Sequence, residues 1–347
     1  MVGPARERVA WNMRVLIVAV PLLLLIIEPT FGQTKHTLKA TPQNVVVGFY
    51  DATTPPALKI RSGDTVEIQA LGVATPDRLI QAGLDIKELQ PELKAVVEAS
   101  SSAPRGHFLT GPVFVETAEP GDVLEVQILN IRMDLPYAYN GMGGSGALVK
   151  EFPKGGSKII RLDLKRKVGL VAPGAEVPLQ PFFGSMGIAP PLAMGRVSSR
   201  APSIFAGNMD NRYLVAGTTL YIPIHAAGAL FQVGDGHAAQ GDGEADQTGL
   251  ETSLTGTFRF TVRKDMKLKL PRGETPTHYI TMGFDEDLNN AMHIAAVETL
   301  DFLTTEKKLL PDDAYMLMSV GINFHVTQVV DGNKGVHGMI PKSIFRK

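Results

Sequence analysis

Leu58-Lys-Ile-Arg-Ser-Gly-Asp-Thr-Val-Glu-Ile68 alternates apolar and polar residues around Gly63-Asp64. A period of two interrupted by a turn dipeptide predicts strands with one buried face each. Upstream, Asn44-Val-Val-Val-Gly-Phe-Tyr50 is apolar and β-branched. Downstream, Phe114-Val-Glu116, Val123-Leu-Glu-Val-Gln-Ile-Leu129 and Ile159-Ile-Arg-Leu-Asp-Leu164 read as further strands, as do Thr218–Val233, Gly256–Val262 and Asn323–Val330. Thr75–Ser102 reads as short helical pieces in a long insertion. Leu135–Lys158, rich in Gly and Tyr, reads as a loop of unusual length, the kind that is usually functional. The one long helix is expected over Asp285–Leu303, with Asp285 as its cap and Leu288, Met292, Ala295, Thr299 and Phe302 on one face. A shorter helix is expected over Pro311–Met318. The fold class expected is mainly β, a β-sandwich-like domain over residues 33–347 with helices added late.

Composition narrows the chemistry. Of 347 residues, 44% are hydrophobic, enough for a sizeable core. The formal charge is −1 with no long basic run, so a nucleic-acid partner is not expected. The 35 Gly and 24 Pro point to many turns rather than a helical bundle. There is no Cys, which removes thiolate nucleophiles, disulfides and thiolate metal ligands. Any metal must be held by His, Asp, Glu, amide or backbone oxygen.

The N-terminus reads as a targeting segment over residues 1–32. Arg6, Arg8 and Arg14 precede Val15–Ile27, an apolar run too short to span a bilayer of roughly 30 Å as a helix, and Glu28-Pro-Thr-Phe-Gly32 follows as a helix-breaking exit. A signal peptide and an exported protein, periplasmic or secreted, are expected. An uncleaved segment would instead leave a membrane tether.

The chemistry concentrates in Gly234-Asp-Gly-His-Ala-Ala-Gln-Gly-Asp-Gly-Glu244, which packs three carboxylates, one imidazole and four further glycines around them. In extended backbone Asp235 and His237 share a face, as do Asp242 and Glu244. Asp, His and Glu together suit a divalent metal of the zinc type, while a solvated acidic turn binding calcium structurally is the plainer alternative. Gly207-Asn-Met-Asp210 precedes the same β stretch, and His107 sits just before a strand in Arg105-Gly-His-Phe-Leu-Thr-Gly-Pro-Val-Phe-Val-Glu116. Each alone is more often a turn or a structural histidine.

Together these stretches resemble the acetamidase/formamidase family. They are His107–Val126, Pro181-Phe-Phe-Gly-Ser-Met-Gly-Ile-Ala-Pro190, Gly207-Asn-Met-Asp-Asn-Arg212, Gly228–Glu244, and a tail from Gln328-Val-Val-Asp331 to Ile340-Pro-Lys342. The resemblance runs from about His36 to the C-terminus. It implies hydrolysis of a short linear amide, of the formamide or acetamide kind, to carboxylate and ammonia. It also implies a β-rich fold, a homo-oligomer and a divalent metal of the zinc type, with calcium as the alternative. Carried onto this chain, it gives His237, Asp235, Asp210 and His107 as metal ligands, Glu244 and Asp242 as catalytic carboxylates, and Asn208, Gly234 and Gly236 on the substrate side. One departure is Ala206, where the family commonly has a second Gly.

Two other classes compete. A serine amidase needs a Ser–Ser–Lys set. Gly143-Gly-Ser-Gly146 and Gly155-Gly-Ser-Lys158 only echo it, and no Gly-x-Ser-x-Gly elbow exists. An exported metal- or carbohydrate-binding β-sandwich module, or a catalytically idle family member, stays open from sequence.

Overall fold

The structure is a computed structural model that describes residues 1–3, 33–100 and 106–345. The expected signal segment lies outside the described residues from residue 4 to residue 32. Among the described residues no helix is long and apolar enough to cross a membrane.

Two sheets face each other. The larger runs in the order Lys35–Leu38, Thr65–Ala70, Leu254–Arg263, Val123–Met133, Thr218–Pro223, Arg272–Glu274, His278–Asp285, Lys334–Pro341, Asn323–Gln328. The second runs Ala206–Asn208, Phe182–Gly187, Phe231–His237, Phe108–Val115, Val45–Val47, with Leu58–Ile60 also on Phe108–Val115. Alternation drives the packing: Val66, Ile68 and Ala70 of one strand turn inward, while Glu67 and Gln69 lie half-buried. Across the gap Phe183 meets Phe258 at 5.4 Å between ring centroids, and Phe231 meets Phe260 at 5.0 Å. These inward rings with Leu109, Val113, Leu124, Val126 and Val233 form one core, so the architecture is a β-sandwich.

Several strands form where the sequence predicts them, in pairings that alternation does not specify. Leu58–Ile60 and Thr65–Ala70 flank a turn, but they enter different sheets, because Leu58–Ile60 pairs in parallel with Val113–Val115 and Thr65–Ala70 pairs with Lys35–Leu38 and Leu254–Arg259. Thr218–Val233 divides likewise into Thr218–Pro223 and Phe231–His237, one in each sheet. The expected loop Leu135–Lys158 begins with a strand, Tyr137–Met142, which pairs with Gly156–Asp163 in a small four-stranded sheet. Its alternation escaped notice because two tyrosines and a glycine carry it.

The long helix spans Leu288–Thr305, and its cap is Asp287 rather than Asp285. The Asp287 carboxylate accepts from the Asn289 and Asn290 amides, whereas Asp285 ends a strand paired to Lys334. Its buried side is Ala291, Ala295, Glu298, Thr299, Phe302 and Leu303, so Met292 is turned to solvent. The Thr75–Ser102 insertion does hold helices, Pro76–Gln81 and Pro91–Ala99. Leu79, Leu84, Leu93 and Val96 pack with Leu71, Phe108, Tyr137 and Tyr139 in a second core. That core braces the segment carrying Glu251, since Tyr139 and Glu251 exchange two backbone hydrogen bonds of 2.8 Å.

Candidate metal and catalytic centre

The centre grows out of a flaw in one strand. Phe231 and Val233 join the inter-sheet core. An unbroken strand would carry Asp235 and His237 into it as well. Asp235 instead has φ of 57°, and Gly236 takes the core side, where an added Cβ would meet Leu254. The pair is thereby moved to the opposite face, where the neighbouring strand offers Gly184; an added Cβ there would collide with carboxylate oxygens of both Asp210 and Asp235. Asp210 and Glu244 are left-handed too, at φ of 46° and 45°. Non-Gly residues in this region are uncommon, and three carboxylates sharing it at one place mark strain held by the surrounding fold.

The side chains converge on the His237 ring. Its Nε2 lies 3.2 Å from Glu251 Oε2, 3.4 Å from Asp235 Oδ1 and 3.9 Å from Asp210 Oδ1. Asp210, His237 and Glu244 bring ligand atoms within 4.8 Å of one another, and so do Asp235, His237 and Glu251. Asn208 donates through its one NH2 to Asp210 Oδ2 at 2.9 Å and to Asp331 Oδ2 at 3.0 Å. The Gly249 amide holds Glu251 Oε1 at 2.8 Å. His107 Nδ1 donates to the Ser199 carbonyl at 3.1 Å, which turns its Nε2 towards Asp235 Oδ2 at 3.7 Å. Four buried atoms of this centre are left without a hydrogen bond: Asp210 Oδ1, Asn208 Oδ1, His237 Nε2 and Glu251 Oε2. Among them Glu251 Oε2 and Asp210 Oδ1 flank His237 Nε2 at 3.2 and 3.9 Å.

Electrostatics follows from five buried carboxylates facing two imidazoles. Burial, then Glu244, Asp331 and Asp235, push Asp210 well above the usual carboxylate range. Burial raises Glu244 in the same way, with the His237 ring only partly opposing. Burial lifts Glu251 to about 7, and it raises Asp331. Burial works against charge on Asp235 too, yet the facing His107 and His237 rings outweigh it and hold that carboxyl below its ordinary value. Burial opposes charge on His237, but Glu251 and Asp235 raise it well above an ordinary histidine. Even with both rings protonated the acids outnumber the cations, so the cluster keeps its charges only with protons or a cation bound. An imidazole nitrogen shared by two overlapping triads of buried acids, with Asp210 Oδ1, His237 Nε2 and Glu251 Oε2 making no hydrogen bond, fits a divalent cation.

His237, Asp235, Asp210, Glu244 and Asn208 meet here, and His107 stands behind Asp235. Gly234 and Gly236 do not line an open face; an added Cβ would meet the Phe108 carbonyl at Gly234 and the Thr252 carbonyl at Gly236. Asp242 is apart: exposed, it pairs with His325 at 3.6 Å. The alternation that placed it beside Glu244 needs extended backbone, and Gly243 at φ 93° followed by Glu244 makes this stretch a turn. The turn is pinned to the C-terminal hairpin, because Gly243 N donates to Thr327 O at 3.1 Å and Val329 N to Gly243 O at 3.2 Å. Reasoning from sequence missed Glu251 and Asp331. Asp331 lies at the start of the family-like tail, in a Val-Asp-Gly turn; Glu251, alone in Thr-Gly-Leu-Glu-Thr, carries no local signal. Ser145 Oγ has no hydrogen-bond partner, so no base activates it.

A β-sandwich with a buried acid and imidazole cluster, set where one strand departs from its pleat, is the class of protein that fold and site define. The chain belongs to the acetamidase/formamidase family, whose sequence profile matches residues 50–203 and 192–347. It is similar to a formamidase of Methylophilus methylotrophus, 29% identical over 190 residues that cover 40% of this chain and 47% of the relative. The chain spans between 47% and 64% of the length of the curated relatives it matches. Its fold is similar to that of an acetamidase from Bacillus halodurans, with a TM-score of 0.76, 29% identity and coverage of 89% of this chain and 98% of the other. It is likewise similar to a predicted acetamidase/formamidase from Thermoanaerobacter tengcongensis, at 0.78 and 27%, covering 90% and 97%.

Proposed function

We propose that this chain hydrolyses a short linear amide to carboxylate and ammonia, using a divalent cation of the zinc type held in the His237 cluster. The observation that carries the reading is the set of buried atoms without a hydrogen bond, Asp210 Oδ1, His237 Nε2 and Glu251 Oε2, amid an excess of buried acid. His237 with Asp235 and Asp210 would hold the cation, with Glu251 facing the same nitrogen and His107 steadying Asp235. An imidazole in the set favours zinc over calcium, which takes oxygen donors. When bound, such an ion supplies Lewis acidity that polarises an amide carbonyl and acidifies water.

The chain's own groups do the rest. Glu244 is buried against the ligands and is positioned to take a proton from water and pass it to the leaving nitrogen. Its left-handed backbone and the pinned turn hold it there. Asn208 has spent both its hydrogens on Asp210 and Asp331, so its unpaired Oδ1 suits an amide N–H of the substrate. Family membership and the named relatives support the reaction class. The decisive experiment is ammonia release from formamide, acetamide and longer amides, before and after metal stripping. Turnover that disappears with the metal and returns with zinc supports the reading. A tightly bound cation with no turnover of any amide leaves a binding module instead.

The proposal extends to compartment and assembly. The Arg-flanked apolar segment supports export, with the mature chain beginning between about Gly32 and His36, and the family resemblance supports self-association. N-terminal sequencing that finds Met1 on a cytoplasmic protein overturns the first; a monomeric mass in light scattering overturns the second.

A further inference from the structure

We infer that Gln240 is the positioning residue that decides which nitrogen of His237 is offered to the acid cluster. The inference rests on the metal reading above and goes beyond it, because Gln240 faces the far side of the ring. Gln240 is buried, and its Nε2 lies 3.1 Å from the Asp210 carbonyl and 3.2 Å from the Thr327 carbonyl. Carbonyls only accept, so that end of the side chain is the NH2 group. The other end, Oε1, then faces His237 Nδ1 at 2.7 Å and must accept from it. Nδ1 therefore keeps its hydrogen whether the ring is neutral or charged. Nε2 is left as the nitrogen whose proton can leave, and it makes no hydrogen bond among its acidic neighbours.

The room for this arrangement is built in. Gly249 lies against the same edge of the ring, and a Cβ there would come within 2.8 Å of Nδ1. Phe182 fixes the ring's tilt from the side, edge-on at 4.9 Å. Gln240 also ties together three segments that are far apart in sequence, the turn after Asp210, the strand end at His237 and the strand end at Thr327. A purely structural tie would depend on its two donated bonds. A positioning role depends on its one accepted bond. The two halves of the side chain can be separated by substitution.

Gln240→Glu keeps the acceptor and removes both donors; Gln240→Leu removes all three. Zinc affinity, measured by competition with a chromophoric chelator, should fall by about 10–100-fold in Gln240→Leu, the usual size of such outer-shell losses. It should stay within a few-fold of the wild type in Gln240→Glu. Equal losses in both variants would make Gln240 a structural tie and overturn the inference, as would unchanged affinity in Gln240→Leu. A second measurement needs no variant. Nitrogen-15 spectra of histidine-labelled, zinc-loaded protein should show His237 protonated at Nδ1 and metal-bound at Nε2; the reverse assignment overturns the inference even if both variants fail to fold. A wild-type protein that binds no zinc overturns the metal reading itself, and this inference with it, which distinguishes that failure from zinc bound with Gln240 indifferent.

Discussion

His237 and His337 are both wholly buried, and their surroundings push them in opposite directions. Around His237 stand Asp210, Asp235 and Glu251, and the ring is raised well above an ordinary histidine despite burial. Around His337 stand the Tyr213 ring at 5.2 Å and the His325 ring at 5.5 Å. Neither of its nitrogens has a hydrogen bond. Burial, then the neighbouring His325, push it down to about 3. The same residue type is thus drawn towards charge by surrounding acids in one place and kept a neutral packing ring in the other. Burial alone predicts neither; the groups aimed at the ring decide.

The comparison breaks first on removal of each ring. His237→Ala should lose the bound metal and amide hydrolysis together, while His337→Leu should keep both; metal content and ammonia release read the two outcomes. A metal-replete, active His237→Ala protein would place the centre elsewhere. Within the acid-rich region, Glu244→Gln should retain the metal and lower turnover by roughly 10²–10⁴-fold. Near-normal turnover there would take the proton-carrying role from Glu244. Gly184→Ala should fold and yet lose about 10²-fold in activity, the scale expected when reacting groups are displaced by about 1 Å, because the new methyl occupies the space of the Asp210 and Asp235 oxygens. Full activity would mean that those carboxylates are free to move.

The smallest effect belongs to His337 and concerns stability. Its folded value lies far below the ordinary 6.5, so the unfolded chain binds more protons between about pH 6.5 and 3. Stability from this site is fully present above pH 6.5 and is lost as pH falls through that window. His337→Leu removes an unsatisfied buried polar group and should raise stability by about 1–3 kcal/mol, more at pH 5 than at pH 8. Urea unfolding midpoints at the two pH values read the difference; a midpoint that moves equally at both would show that His337 does not titrate there. His325 and Tyr213 face the ring, and Asp242 pairs with His325.

How much of this was legible before folding depends on the range of the interaction. Period-two and β-branched patterns over Leu58–Ile68, Val123–Leu129 and Gly256–Val262 gave away most of the strands Thr65–Ala70, Val123–Met133 and Leu254–Arg263, because alternation is set by the pleat of each strand alone. The acid-rich stretch from Gly234 to Glu244 was legible for the same reason, since its residues are neighbours in the chain. The family resemblance added Asp210 and His107, which composition and spacing alone would have left as a turn and a structural ring.

Alternation failed wherever the backbone left the extended region. It put Asp242 beside Glu244, and the left-handed turn at Gly243 and Glu244 separates them. It placed Asp235 with His237 but gave no hint that the left-handed Asp235 takes both off the core face. Glu251 and Asp331 enter from a backbone bridge to Tyr139 and from the C-terminal hairpin, and no local pattern marks either.

A mainly β chain with a sizeable core, no thiol chemistry, and one stretch dense in carboxylate, imidazole and glycine were already written in the order of residues. Those follow from composition and from interactions between near neighbours. Folding alone set which acids surround His237, which histidine stays neutral, and which nitrogen faces the cluster. Those depend on contacts such as Asn208 with Asp331 and Gln240 with Thr327, made between residues more than eighty apart in the chain.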